Sequence, residues 1–418
     1  MQARRGNRDT GLDGWRKARY LMGMEQRVES GQSDVIAPVR PRFDPAIPAA
    51  FPAQPILIGS EIYRKSRYGV KHPLSIQRVT PVMDLVRTLG LLDDSRFVDS
   101  PTATPDELAR FHASDYIAAV IAAERDGHVS DEVRERYNIG RSGNPVFPEI
   151  FSRPATAAGA SVLAGRTLAA VERGTIHSLA GGTHHGRPAM AYGFCYFNDP
   201  VLGILAMLDG GLSRVLYVDL DAHHGDGVQD AFHDEDRVLT ISIHEDDRWP
   251  RTGPAEDRAG GMARNFPVPK DMNDSELRFL IEEAVLPIGE DFRPQAIVIQ
   301  SGCDALADDP QSRLSLSNNA IWEAVQRLSA LAPRVLVVGG GGYNPWAVAR
   351  CWTGIWAQLN GVEPRGISVG TDAENILRGL FWNHSRGRNP PEHWFTTIAD
   401  IPLEGEVRAG IRDLARLV

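Results

Sequence analysis

An α/β fold built on a central parallel sheet, buried on both faces by helices, is what the 418-residue chain predicts. The first observation is a series of short, β-rich apolar runs at residues 56–58, 215–218, 238–243, 297–299 and 335–338. Strands that are apolar without alternation are covered on both sides, as in parallel sheets. The second is the set of longer segments with helical periodicity between them, at 80–91, 105–124, 153–173, 200–208, 275–288, 319–331 and 345–359. The third is that charged or glycine-rich clusters follow directly on several apolar runs. Open parallel sheets bind ligands beyond the carboxyl ends of their strands.

Taken in order, residues 1–54 read as an N-terminal extension or arm. A helix is expected near 18–29, and a proline series (Pro38, Pro41, Pro45, Pro48, Pro52) keeps the rest extended. The arm is a candidate for contacts in a homo-oligomer or for covering a site. Residues 55–380 contain no linker-like composition and read as one large α/β domain. Residues 381–418 read as a tail that ends in an amphipathic helix and packs on that domain.

Composition narrows the class. Apolar residues make up 42% and charged residues 24%, ordinary for a globular protein. The balance of 45 basic against 54 acidic residues leaves −9, which argues against a nucleic-acid or anionic-membrane binder. No apolar stretch approaches the roughly 20 residues of a membrane span, and no secretory signal opens the chain. Three cysteines provide no disulfide framework. A cytoplasmic protein is expected.

The run at 215–218 leads into Asp219-Leu220-Asp221-Ala222-His223-His224-Gly225-Asp226. On an extended chain, Asp219, Asp221 and His223 point to one face. So many polar groups at a buried strand end are costly unless they pair or hold a metal. Oxygen and imidazole donors suit zinc. Asp304, after the run at 297–299, can join Asp221 and His223, leaving an open position as catalytic zinc sites do. Alone, Asp304 would read as a turn or cap residue, and Cys303 reads as a buried structural thiol.

After 176–179 comes Gly181-Gly182-Thr183-His184-His185-Gly186-Arg187. Adjacent histidines are candidates for proton transfer, with Asp219 and Asp226 as carboxylate partners that set tautomer and basicity. After 335–338 comes Gly339-Gly340-Gly341-Gly342-Tyr343. It lacks the features of a phosphate-binding loop. The loop instead presents Tyr343, whose phenol can donate to a developing oxyanion.

Together these motifs resemble the histone deacetylase superfamily, which also holds acetoin utilisation proteins and acetylpolyamine amidohydrolases. Six segments carry the resemblance in family order: His72–Arg78, Asn144–Phe151, Gly181–Asp199, Asp219–Phe232, Gln300–Leu306, and Gly339–Tyr343 with Ala349–Trp352. The resemblance implies an arginase-like three-layer α/β/α fold and a zinc amidohydrolase. It implies Asp221, His223 and Asp304 as zinc ligands, and His184 and His185 as the tandem histidines, with His185 the general base and acid. Asp219 and Asp226 are implied as their carboxylate partners and Tyr343 as the residue that polarises the carbonyl. Phe194 and Trp249 match tunnel walls, Gly182 the glycine whose carbonyl meets the substrate amide, and Arg78 an arginine near an inner cavity. A structural potassium site is implied at Asp219, Ser242 and Ile243, with the backbone of Asp221 and His223.

One departure bears on substrate. The loop Gly140-Arg141-Ser142-Gly143-Asn144 has no acid where histone-tail enzymes clamp the peptide backbone, and has Arg141 instead. Glu245, Asp246 and Asp247 are the acids expected at another part of the rim. A small acylated amine or amide is therefore the expected substrate. The alternatives are a protein acetyl-lysine deacetylase, a binuclear manganese ureohydrolase-like enzyme and a metal-stabilised binding module.

Overall fold

The computed structural model describes residues 47–69 and 72–417. Most of the expected arm, including the helix at 18–29, lies outside them.

Eight strands form one sheet: β1 (Ile56–Gly59), β2 (Phe97–Asp99), β3 (Gly174–Ser178), β4 (Val215–Asp219), β5 (Val238–Glu245), β6 (Ala263–Val268), β7 (Ala296–Gln300) and β8 (Arg334–Val338). Their order is β2-β1-β3-β8-β7-β4-β5-β6, and every pairing is parallel. The central strands are buried along nearly their whole length because helices cover both faces. β4, for example, is buried at all five positions.

The apolar runs mark five of the eight strands, and the segment 176–179 that leads into the glycine-rich loop falls on a sixth, β3. The two missed ones, β2 and β6, are the sheet edges. β2 has three residues, one of them exposed. β6 contains Arg264, Asn265 and Pro267, which an edge position tolerates and a central one would not.

Helices follow the expected spans with two changes. The segment at 105–124 is two helices, Pro105–Leu108 and Ser114–Asp126. Residues 274–292 form one helical run with a π turn at Ile281–Val285. That turn lies just before Pro287, which removes a backbone donor. The helices Asp131–Tyr137, Asp226–Ala231 and Thr371–Arg378, of 7, 6 and 8 residues, are too short to be read in advance. Among the described residues, no helix is long and apolar enough to cross a membrane.

The C-terminal residues are fixed to this body. Trp394 stacks on Trp346 at 5.3 Å, and Ile411 is fully buried. The buried Arg350 donates to the Thr397 and Ala399 carbonyls and pairs with Asp400 at 2.7 Å. Such a charge is tolerable inside because it is both paired and hydrogen-bonded.

The strand order places the site. β3 and β4 are consecutive in sequence but separated in space by β8 and β7. The carboxyl ends of these four neighbours carry all four clusters singled out in the sequence.

Candidate active site

The loop after β4 does not stay extended. The Asp219 carboxylate accepts the Asp221 N–H at 3.0 Å, and the Asp221 carboxylate accepts the His223 N–H at 3.0 Å. These successive side-chain-to-backbone turns curl the chain. Asp221 and His223 converge as a result, but Asp219 does not share their face; its carboxylate turns to His184. The expectation of one common face is corrected by this turn chemistry.

Asp304, arriving from β7, completes a group of three. His223 Nδ1 lies 3.1 Å from Asp221 Oδ1 and 3.0 Å from Asp304 Oδ2. The three ligand-type atoms all fall within 4.8 Å of one another, and the residues are buried. Backbone donors orient the carboxylates: Gly341 N–H to Asp221 at 2.7 Å and Ala222 N–H to Asp304 at 2.9 Å. Side chains are excluded around them. A Cβ on Gly341 would stand 2.0 Å from Asp304 Oδ2, and one on Gly302 2.2 Å from Asp221 Oδ2.

Two buried carboxylates facing one imidazole form an anionic pocket that demands a cation. Burial works against charge on His223, but Asp304 and Asp221 prevail and push its pKa up to about 10. Burial and the neighbouring Asp221 raise Asp304 to about 6. Two oxygen donors and one nitrogen donor, held by backbone N–H groups, fit zinc.

The tandem histidines lie alongside, their rings 3.9 Å apart. Each directs Nδ1 at its own carboxylate: His184 to Asp219 and His185 to Asp226, both at 2.7 Å. Asp219 is also held by the Tyr217 hydroxyl at 2.7 Å. Asp226 also accepts from Arg187, which in turn binds Asp230. The two rings differ in charge environment. Burial opposes the imidazolium at both. At His184 the carboxylates of Asp219 and Asp221 overcome it and raise the pKa to about 9. At His185 burial, reinforced by the neighbouring His184, lowers it to about 3.

The glycine loop after β8 brings Tyr343 to the same cavity. Burial first, then Asp304 and Asp221, push its phenol well above the ordinary range, so it is a neutral donor. The inner cavity is lined by Arg78, Arg153, Gly182, His184, His185 and Tyr343, among others. Arg78 donates to the Gly340 carbonyl at 2.7 Å, so it holds the tyrosine loop while facing the cavity. Gly182 lines the cavity too, but its carbonyl accepts from the Gln300 amide at 2.9 Å, which gives the expected substrate-facing group another partner.

Phe194 and Trp249 line the mouth with Tyr192, His185, His223 and Tyr343. Trp249 packs edge-on against His185 at 4.7 Å. Phe194 holds a left-handed backbone, φ 68°. Its N–H donates to Asn144 at 3.0 Å and its carbonyl accepts from Tyr68 at 3.3 Å, which fixes the ring's approach. Asp219 and Ser242 are in register on neighbouring strands. The Ser242 hydroxyl bonds His244 at 3.0 Å, and Ile243 is buried beside it.

The histone deacetylase domain model matches residues 72–359, a span that contains all of these groups. The chain belongs to the histone deacetylase family. It is 36% identical over 292 residues to putative histone deacetylase 2 of Caenorhabditis elegans, covering 68% of this chain and 57% of that protein. It is 36% identical over 328 residues to the acetoin utilization protein AcuC of Bacillus subtilis, covering 74% and 83% of the two chains. It thus spans little more than half the length of some curated relatives. The crystal structure of a histone deacetylase homolog from Aquifex aeolicus superposes with a TM-score of 0.81 at 36% identity, over 87% of this chain and 99% of that one. The arginase-like architecture follows.

Within this histone deacetylase family site, sequence reasoning missed several contributors. Asp309 supports Tyr343 from behind, yet an aspartate before Pro310 reads as a turn residue. Gly193 permits close packing, since a Cβ there would stand 2.3 Å from the Trp249 ring. Its glycine-before-phenylalanine placement was the available signal. Of the acids expected at the rim, Glu245 is buried and accepts from Arg248 and from the Arg313 N–H, so it is corrected to a structural role. Asp246 and Asp247 are exposed.

Proposed function

We propose that this chain is a zinc-dependent amidohydrolase that cleaves a small acylated amine or amide to a carboxylate and a free amine. The observation that carries the reading is the buried Asp221–His223–Asp304 group opening onto the cavity of His185 and Tyr343. Asp221, His223 and Asp304 would hold the metal. Zinc, when bound there, supplies Lewis acidity toward the amide carbonyl and the attacking water.

The remaining work belongs to side chains. His185 is held by Asp226 through Nδ1, which leaves Nε2 to take the proton of the attacking water and return it to the leaving amine. A neutral imidazole is the form required for the first step. His184, paired with Asp219, keeps positive charge beside the developing oxyanion. The Tyr343 O–H donates to that oxygen. Phe194 and Trp249 exclude bulk laterally and admit a slender arm. Gly182 and Arg78 shape the inner end of the cavity. Asp219, Ser242 and Ile243 are the proposed residues of a structural potassium site.

The small-molecule preference rests on the loop at 140–144, where Arg141 stands in place of an acidic clamp. A peptide backbone there loses a charge-assisted hydrogen bond of roughly 1.5–3 kcal/mol. The reading takes the N-terminal arm as a site of self-association and places the enzyme in the cytoplasm, without nucleic-acid or membrane partners. Comparing kcat/KM for a small N-acetyl amide and an acetylated histone-tail peptide tests the substrate class. The small amide is expected to win; a strong advantage for the peptide reverses the assignment.

A further inference from the structure

The mouth outside Phe194 and Trp249 carries three arginines, Arg141, Arg248 and Arg251, against a single acid, Asp247. Their states differ. Arg248 is committed, donating twice to the buried Glu245 at 2.8 and 2.9 Å. Arg251 meets Asp247 at 3.4 Å with both side chains largely in solvent, 74% and 87% exposed. An exposed pair of this kind holds its members weakly. Arg141 is exposed; its carbonyl accepts the Asn144 N–H at 3.0 Å, but its side chain has no hydrogen-bond or ion-pair partner among the described residues. A chain of net charge −9 thus keeps its catalytic mouth positive. The neutral lining there, Asn138 and Gln311, offers hydrogen bonds without offsetting that charge.

We propose that the mouth binds an anionic group at the far end of the substrate, so that the preferred substrate is an acylated amine bearing a carboxylate. Guanidinium groups match carboxylate geometry with paired N–H donors. Arg141 is the primary partner, and Arg251 joins it by releasing Asp247. The same charges oppose a substrate whose far end is cationic. This inference rests on the amide-hydrolase reading and adds the chemistry of the group left outside the tunnel.

The test uses the full chain with zinc and Nε-acetyl-lysine capped at its α-amine, offered as the free carboxylate and as the carboxamide. A neutral N-acetyl alkylamine runs alongside. The carboxylate is expected to exceed the carboxamide in kcat/KM by about five-fold or more at low salt, with the ratio falling as salt rises. Arg141→Ala is expected to bring the ratio toward one, and Arg141→Glu to invert it. A ratio near one in the unaltered enzyme, or one that survives Arg141→Ala combined with Arg251→Ala, overturns the proposal. If the neutral amide is hydrolysed while the ratio is one, the mouth assignment alone fails. Hydrolysis of none of the three removes the amidohydrolase reading and this proposal with it.

Discussion

The buried carboxylate of Asp309 accepts the backbone N–H of Tyr343 at 2.6 Å. It also accepts the Gln311 N–H at 2.9 Å, so one side chain ties the loop after β7 to the loop after β8. Asp309 touches no part of the cavity; it acts through the position of the tyrosine.

Asp309→Ala should therefore lower kcat more than it changes KM. The substitution leaves the N–H of the buried Tyr343 without its acceptor, a loss of roughly 1–3 kcal/mol, or about 5- to 150-fold. Asp309→Asn retains an acceptor oxygen and should recover most of the loss. Steady-state kinetics of the two variants checks this; equal defects in both would show that the charge, not the acceptor, matters.

Direct removal of the reacting groups should cost more. Tyr343→Phe and His185→Ala should each reduce kcat by about 100-fold or more, because both act on charge that develops during the reaction. Near-normal kcat in either variant, with metal content intact, would remove the role assigned to it.

The metal pocket should tolerate no added carbon on the tyrosine loop. Gly341→Ala would push a methyl against Asp304 Oδ2, at 2.0 Å from the ideal position, and disturb the N–H that orients Asp221. Zinc per chain should drop sharply in this variant, measured by elemental analysis after gel filtration. Gly366→Ala, where nothing lies within 4 Å, should bind zinc normally.

Mild acid should destabilise the fold through its buried neutral histidines. His112 is buried; its Nε2 accepts the Asn198 N–H at 3.0 Å and its Nδ1 faces the Arg187 carbonyl at 3.0 Å. Only the neutral ring satisfies both, and burial lowers its pKa from 6.5 to about 3. His177, buried in β3 with both ring nitrogens unpartnered, shifts the same way, to about 3. At these two histidines the unfolded chain binds more protons than the native one between these values, so their contribution to stability is complete above about pH 6.5 and falls as pH drops toward 3. The thermal midpoint should decrease from pH 7.5 to pH 5.5. A midpoint unchanged over that interval would contradict the buried neutral histidines.

What the sequence revealed of all this follows from physical scale. Buried strands announce themselves because both faces must be apolar, so β4 and β7 were legible and the three-residue β2 was not. Asp221, His223 and Asp304 stood out because costly groups at buried strand ends need a reason. Their geometry was only half legible: the alternation of Asp219, Asp221 and His223 suggested one face, whereas side-chain bonds to backbone N–H groups turn Asp219 toward His184. Asp309 was invisible as a site residue, and Gly193 showed only as a glycine before Phe194, because their effect is on Tyr343 and Trp249, across long separations in sequence. Glu245 misled because its acidic run looked like surface, while a pairing with Arg248 buries it.

The most direct measurement is hydrolysis of a small N-acetyl amide by the full chain before metal removal, after exhaustive chelation and after stoichiometric zinc return. The account predicts activity that disappears with the metal, returns at one zinc per chain and fails to return in Asp304→Ala. Full activity in the rigorously metal-free protein would contradict it.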